Sequence, residues 1–279
     1  MSSPSETAPE RVLAARLAAA HGITPNRRLG QHFLLDENLV DVSVREAAVG
    51  SEDVVFEVGA GLGVLTAALA RSSRLVHAVE IDRGLAPALE EALAGLDNVR
   101  VHWGDAMKLD WSALDPPPTR LVANLPYDIA TPVVVESVMR LPTVERWSVL
   151  VQREVADRWL AEPGTREYGA ASVVLQLATE STFRRAVGRE VFSPRPRVDS
   201  ALVALRRRPE PPDPAVRALA RAAFATRRKT LRNSLVAAGA DGGRVVAELE
   251  AMGIGASARP AELTPSDYRE LAERLSWTI

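Results

Sequence analysis

Three stretches of this sequence carry residue types suited to chemistry, and each follows an apolar run. "FEVGAGLGVL" places Glu57, Gly59, Gly61 and Gly63 after the run that begins at Asp53. Glycines at a strand-to-helix turn remove side chains that would block a nucleotide-like ligand, and they permit backbone angles closed to other residues. The helix that follows offers unpaired amides. Glu80 ends the next apolar run and Asp105 the one after it, behind "VHWG". A carboxylate at the first position can accept both hydroxyl hydrogens of a ribose; one at the second can accept from an adenine amino group while the Ala106 amide donates to a ring nitrogen. Ile81 and Met107 stand where they could sandwich the ring. "NLPYDIATP" follows Leu121-Val122-Ala123 and lines up an amide, a rigid proline and an aromatic ring at Asn124, Pro126 and Tyr127. Taken alone it is either the rim of a site or a strand-to-helix turn. A dinucleotide fingerprint would need glycine at position 64, which is Val, and no Gly-Lys-Ser/Thr follows as a nucleotide triphosphate loop requires. The pocket described is one for adenosine with a cationic or zwitterionic tail.

Elements must bring these residues together. "DVVFEV", "RLVHAVE", "NVRVHWGD", "RLVANLPY" and "WSVLVQ" have strand composition and alternate with helical stretches such as "LGVLTAALA", "GLAPALEEALAGL" and "REVADRWLA". That succession predicts an α/β fold, a Rossmann-like doubly wound and mostly parallel sheet with helices on both faces. Such sheets bind ligands beyond the carboxyl ends of their strands, where Glu57, Gly59, Glu80, Asp105 and Asn124 fall. "ASVVLQLATE" and "SALVALRRR" are expected to be further strands, and Thr131-Pro132 a helix start. "PEPPDP" is the clearest linker. Beyond it the chain reads as helical, with Thr264 and Asp267 as a capping box for the last helix. The expected division is a catalytic domain over 1–208, with an N-terminal extension to residue 28, and a small all-helical domain over 209–279.

Composition narrows the chemistry. With 279 residues, 47% hydrophobic and 25% charged, the chain is long enough for one large domain and a small one. It has no cysteine, which excludes disulfides, thiolate zinc sites, iron–sulfur clusters and cysteine nucleophiles. The four histidines are scattered at 21, 32, 77 and 102, so no metal is expected. The polar start "MSSPSETAPE" and the lack of a long apolar segment predict a soluble, cytoplasmic protein. Net charge is only -2, yet 184–232 holds fourteen Arg and Lys against four Asp and Glu. A basic block on an otherwise acidic chain suits a polyanion.

In sequence order, "RRLGQHFLLD", "FEVGAGLG", "VEID", "GDAMKLD", "NLPYDIATP", "QREVADRWLAEPGTREYGAASVVLQ", "FSPRPRVDSALV" and "RRKTLRNSL" resemble the successive motifs of the bacterial small-subunit rRNA adenine dimethyltransferases, within the class I S-adenosylmethionine-dependent methyltransferases. The resemblance runs almost end to end. It implies dimethylation of the exocyclic amines of two adjacent adenosines near the 3′ end of small-subunit rRNA, during late assembly of the subunit. It implies S-adenosylmethionine as cofactor, leaving as S-adenosylhomocysteine. It adds Gln31, His32 and Leu34 to the cofactor residues, although His32 stands where many relatives have Asn. It places Phe192 against the target base, opposite Tyr127.

In this reading the Asn124 side-chain carbonyl and a backbone carbonyl at Leu125 or Pro126 accept the two amine hydrogens, and Tyr127 stacks on a flipped base. The expected rRNA contacts are Arg166, Arg195, Arg197, Arg206, Arg207, Arg208, Arg227, Arg228, Lys229 and Arg232, with Arg228 and Arg232 on one helix face opposite Leu231 and Leu235. The expected partner is the precursor of the small ribosomal subunit, approached by a monomer without membrane or DNA. Relatives that methylate large-subunit rRNA share the Asn124–Tyr127 pattern, and a non-catalytic RNA-binding assembly factor would share the fold. Both remain alternatives at this point.

Overall fold

The computed structural model describes residues 12–210, 213–226 and 228–277. The "MSSPSETAPE" start, the two middle prolines of the linker and Arg227 lie outside the described residues. In chain order the elements are α1 (Val12–Ala20), β1 (Phe33–Leu34), α2 (Glu37–Glu46), β2 (Val54–Val58), α3 (Val64–Ser72), β3 (Leu75–Glu80), α4 (Ala86–Ala92), β4 (Val99–Trp103), β5 (Arg120–Asn124), α5 (Ala130–Arg140) and β6 (Arg146–Gln152). Then follow α6 (Arg153–Trp159), α7 (Ala170–Ala178), β7 (Thr179–Val187), β8 (Phe192–Ser193), β9 (Ser200–Arg207), α8 (Pro214–Phe224), α9 (Leu231–Ala237), α10 (Gly242–Ala251) and α11 (Pro265–Leu275).

Seven strands form one sheet in the order β4-β3-β2-β5-β6-β9-β7. The pairs β3–β4, β2–β3, β2–β5 and β5–β6 are parallel. Every residue of β2 and β3 is buried, which is why both read as unbroken apolar runs instead of alternating patterns. The chain passes from β2 outward to β3 and β4, then returns to β5 on the other side of β2. This reversal opens a crevice beyond the ends of β2 and β5. A second, two-stranded sheet pairs β1 antiparallel with β8, Phe33 opposite Ser193 and Leu34 opposite Phe192.

The residues pack into two compact units. The first takes in the chain up to Val133 with Thr143–Arg153 and Thr182–Leu205; the second holds Val134–Pro142, Glu154–Ser181 and the chain from Arg206 on. In the first, Val55, Val76, Val122, Leu150 and Leu202 build the sheet's core with Leu34 and Phe192. Leu17 of α1, Phe33, Leu62 and Leu85 form a smaller cluster. In the second, Val173, Leu177, Leu219, Leu235, Leu249 and Leu271 are buried together. Phe224 sits between the rings of Tyr168 and Tyr268, 5.9 Å from each.

Some expectations needed correction. "ASVVLQLA" is the helix α7, and strand begins only at Thr179. Its apolar run is continuous, a pattern that fits a buried helix as well as a buried strand, and Val173 and Leu177, four apart, both face the core. α5 begins at Ala130, so Thr131 lies within it instead of capping it. α9 begins at Leu231 behind an N-cap, Thr230, whose side chain accepts from the Asn233 amide. Arg228 therefore precedes the helix and shares no helical face with Arg232, while Leu231 and Leu235 are fully buried. The Thr264–Asp267 capping box of α11 is present.

Candidate functional site

A cavity of about 240 Å³ opens in the first unit at the carboxyl ends of β2, β3, β4 and β5. Gly59 and Gly61, both at positive φ, form part of its wall. A Cβ at Gly59 would make only ordinary contact with Pro126 Cδ, at 3.6 Å, so it is the φ of 84° that calls for glycine there. Gly63 is different. It is not part of the wall, and a Cβ there would meet Leu89 Cδ1 and Ala92 Cβ at 2.8 Å. The third glycine therefore serves the approach of α4 to the start of α3.

Glu57 lines the cavity floor and is fully buried; neither carboxylate oxygen has a hydrogen-bond partner among the described residues. Burial, the largest influence, raises its pKa to about 8. The nearby Thr66 hydroxyl pulls weakly the other way, without the geometry of a hydrogen bond, and the charge of Glu80 adds a smaller push upward. Glu80 is bound on both oxygens: one accepts the Gly61 amide at 2.8 Å, the other the Asp82 amide at 2.8 Å. Its remaining lone pairs are available to two hydroxyl hydrogens. Burial pushes its pKa up as well, against the pull of those amides.

Beyond β4, Asp105 Oδ1 accepts the Met107 amide at 2.9 Å in a tight turn, beside Gly104 and Ala106 in the wall. The turn is braced from behind by Trp111, whose indole N–H donates to the Ala106 carbonyl at 2.8 Å. Ile81, half exposed, presents an apolar face on the wall; Met107 does not line it. The cavity thus combines an apolar face, a carboxylate beside a backbone turn, a second carboxylate one strand away and an uncompensated buried acid. These residues fit an adenosine-bearing cofactor with a cationic group.

Gln31, His32 and Leu34 close the cavity from the N-terminal side. The Gln31 amide is held at both ends, donating to Asp82 at 2.8 Å and accepting from the Asn26 amide at 2.7 Å. Arg28 also lines the cavity; it stands in the "RRLGQHFLLD" stretch but is not among the residues the sequence reading singles out.

Asn124, Leu125, Pro126 and Tyr127 form the opposite rim. Asn124 Nδ2 donates to the His32 carbonyl at 3.0 Å. The Pro126 carbonyl already accepts the Ile129 amide at 3.2 Å, which leaves Leu125 the better source of a second backbone acceptor. Tyr127 pairs its hydroxyl with Ser200 Oγ at 3.0 Å, and its ring lies 5.5 Å from that of His32. Phe192 is not part of the wall: it is 3% exposed and packs in the sheet's core beside Leu34. Apolar strand pairing between β1 and β8 draws it inward.

The basic residues divide by what their side chains already do. Arg206 pairs with Glu180. Arg207 donates to the Val138 and Leu141 carbonyls at the end of α5, and Arg208 to the Thr179 carbonyl. Arg232 donates to Asn233. Arg195, Arg197, Arg228 and Lys229 are exposed, and so is Arg166, which has a partner within the fold. Among the described residues no group of three or more His, Asp or Glu side chains could hold a metal ion, and no helix is long and apolar enough to cross a membrane.

The chain is 45% identical over 254 residues to the ribosomal RNA small subunit methyltransferase A of Rubrobacter xylanophilus, covering 90% of this chain and 95% of that one. Among solved structures, the 23S rRNA methyltransferase ErmE is 31% identical and superposes with a TM-score of 0.64 over 88% of this chain and 99% of that one. A dimethyladenosine transferase from Plasmodium falciparum, 24% identical, shares the fold with a TM-score of 0.73 over 86% of this chain and 96% of its own. The profile of the ribosomal RNA adenine dimethylase family matches residues 22–276, from before Gln31 to the end of the last helix, and the chain belongs to that family.

Proposed function

We propose that the protein is an S-adenosylmethionine-dependent methyltransferase that converts two adjacent adenosines of small-subunit rRNA to their N6,N6-dimethyl form. The observation that carries the reading is the placing of Asn124 and Tyr127 on the rim of a cavity whose other walls suit adenosine. When bound, S-adenosylmethionine supplies an electrophilic methyl group on a sulfonium.

The protein's own task is to hold an amine whose lone pair is delocalised into the adenine ring. Asn124 Oδ1 accepts one amine hydrogen and the Leu125 carbonyl the other. Two acceptors set this way favour a pyramidal nitrogen with its lone pair directed at the methyl. Pro126 keeps the backbone aimed, because its φ is fixed. Tyr127 stacks on the extruded base. Rate comes from orientation and electrostatics instead of strong base catalysis. An amide suits this better than a carboxylate, since the amine need not lose a proton before attack. Glu80 takes the ribose hydroxyls, Asp105 and Ala106 the adenine edge, Ile81 its face, and Glu57 faces the cationic tail.

The exposed Arg166, Arg195, Arg197, Arg228 and Lys229, and the helical stretch 209–279, dock the rRNA. The substrate is the precursor of the small subunit, met in the cytoplasm by a monomer. Support for the small over the large subunit comes from the relative at 45% identity, against 31% for ErmE.

The test is methyl transfer from labelled cofactor to immature small subunits, mature small subunits and large-subunit rRNA, with wild type and Asn124→Ala. Dimethyladenosine at two neighbouring small-subunit positions is expected. The variant should lose roughly 10²–10³ in kcat and keep its cofactor affinity. Label in large-subunit rRNA, or full turnover by the variant, would contradict the reading.

A further inference from the structure

Three contacts converge on His32, and its chain neighbour adds a fourth. Its ring Nδ1 lies 2.7 Å from the Pro194 carbonyl, so Nδ1 carries the proton and donates. Its ring faces Tyr127, whose hydroxyl is fixed by Ser200, itself fully buried. Its backbone carbonyl accepts from Asn124 Nδ2. Its chain neighbour Phe33 pairs with Ser193, the residue before Pro194. We infer that His32 is a positioning residue: it ties the end of β8 at Pro194 to the Asn124 amide and so sets the direction of the acceptor that would hold the substrate amine. This deepens the proposed function and rests on it.

An amide can flip, exchanging its oxygen and nitrogen. Turned the other way, Asn124 Oδ1 would face the lone pairs of the His32 carbonyl. Only the orientation with Nδ2 on that carbonyl is attractive, and it leaves Oδ1 for the cavity. The orientation is therefore as firm as the carbonyl that selects it. That carbonyl belongs to the last residue before the β1–β8 ladder. Pro194 has no N–H to extend the ladder, and the imidazole supplies the next bond from its side chain instead. Losing the ring bond frees the ladder's end, the carbonyl and the amide it orients, while the walls that hold adenosine, Glu80 and Asp105, are untouched.

The experiment compares wild type with His32→Ala, His32→Phe and His32→Asn. Phe keeps a ring against Tyr127 without a donor. Asn keeps a donor, Nδ2, close to the place of the imidazole Nδ1. Kinetics on immature small subunits should show kcat lowered about 10- to 100-fold in Ala and Phe and recovery in Asn; since His32 also lines the cavity, cofactor affinity is titrated separately and should change less than kcat in Ala and Phe. A second readout needs no activity: solvent exchange of the Asn124 side-chain amide protons, identified by their loss in Asn124→Ala. Exchange should be slow in wild type and the Asn variant and faster in the other two. Unchanged exchange and kcat in His32→Ala, or a loss confined to cofactor affinity, would overturn the inference. Wild type that transfers no methyl yet shows this exchange pattern would refute the proposed function and leave the positioning role standing.

Discussion

Glu57 has the least comfortable environment of any side chain in the site. Water would solvate its charge, but the fold gives it no hydrogen-bond partner among the described residues. The folded protein therefore keeps it protonated up to about pH 8, whereas the unfolded chain ionises it near 4.5. Its contribution to stability is full below that lower value and is lost as pH rises toward the upper one, because ionisation then favours unfolding. Glu57→Gln removes the dependence. The variant's melting temperature, measured without ligand, should gain on the wild type steadily from pH 5 to pH 8; parallel curves would refute the assignment. Glu57 is legible in the sequence as an unusual residue near a strand end. Its isolation is not, because it depends on what the neighbouring strands leave beside it. Ser200 and Trp111 are similar cases. Ser200 stands in the "FSPRPRVDSALV" stretch and Trp111 in no motif, but neither role shows in the sequence, because only the fold brings them to Tyr127 and Ala106.

Among the elements, the central strands are readable because their apolar runs are short and alternate with longer helical stretches, as a parallel sheet buried on both faces requires. α7 defeats the same reasoning, since a short continuous apolar run does not reveal its period. The glycine turn is half legible. Gly59 and Gly61 lie where a ligand turn would put them, but Gly63 belongs to the packing of α3 on α4. Gly63→Ala should then act on stability. Its Cβ would press on Leu89 and Ala92, and its φ of 80° suits no side chain. A loss of roughly 1–3 kcal/mol is expected by chemical denaturation, with cofactor affinity per folded molecule retained. A variant of normal stability that no longer binds cofactor would return Gly63 to the ligand.

For the molecule as a whole, the basic block is visible as a count of charges, but a count cannot say which charges are spent. Arg207 is half-buried against the carbonyls that end α5, and burial lowers its pKa. Arg195 and Arg197 are exposed. Substituting Arg195 and Arg197 by Ala should weaken binding to immature small subunits, and log affinity should fall less steeply with log salt, by about 0.7–0.9 for each phosphate no longer neutralised. Melting temperature should hardly move. Arg207→Ala should do the reverse, lowering the melting temperature while leaving the salt slope as it was. An exchange of these two outcomes would mean that Arg207 is the one that meets RNA.

Glu80 has a consequence for selection. Its two oxygens brace the glycine turn on one side and the start of the next loop on the other, at 2.8 Å each. In the proposed function the same carboxylate takes the ribose hydroxyls. An inhibitor that competes for that spot exerts pressure on a residue with two duties, and a substitution that sheds the inhibitor also loosens the turn that shapes the cavity. Escape by change at Glu80 would therefore cost the organism two hydrogen bonds that shape its own cavity. Resistance would have to arise at residues of the wall that brace nothing, and half-exposed Ile81 is the nearest of these.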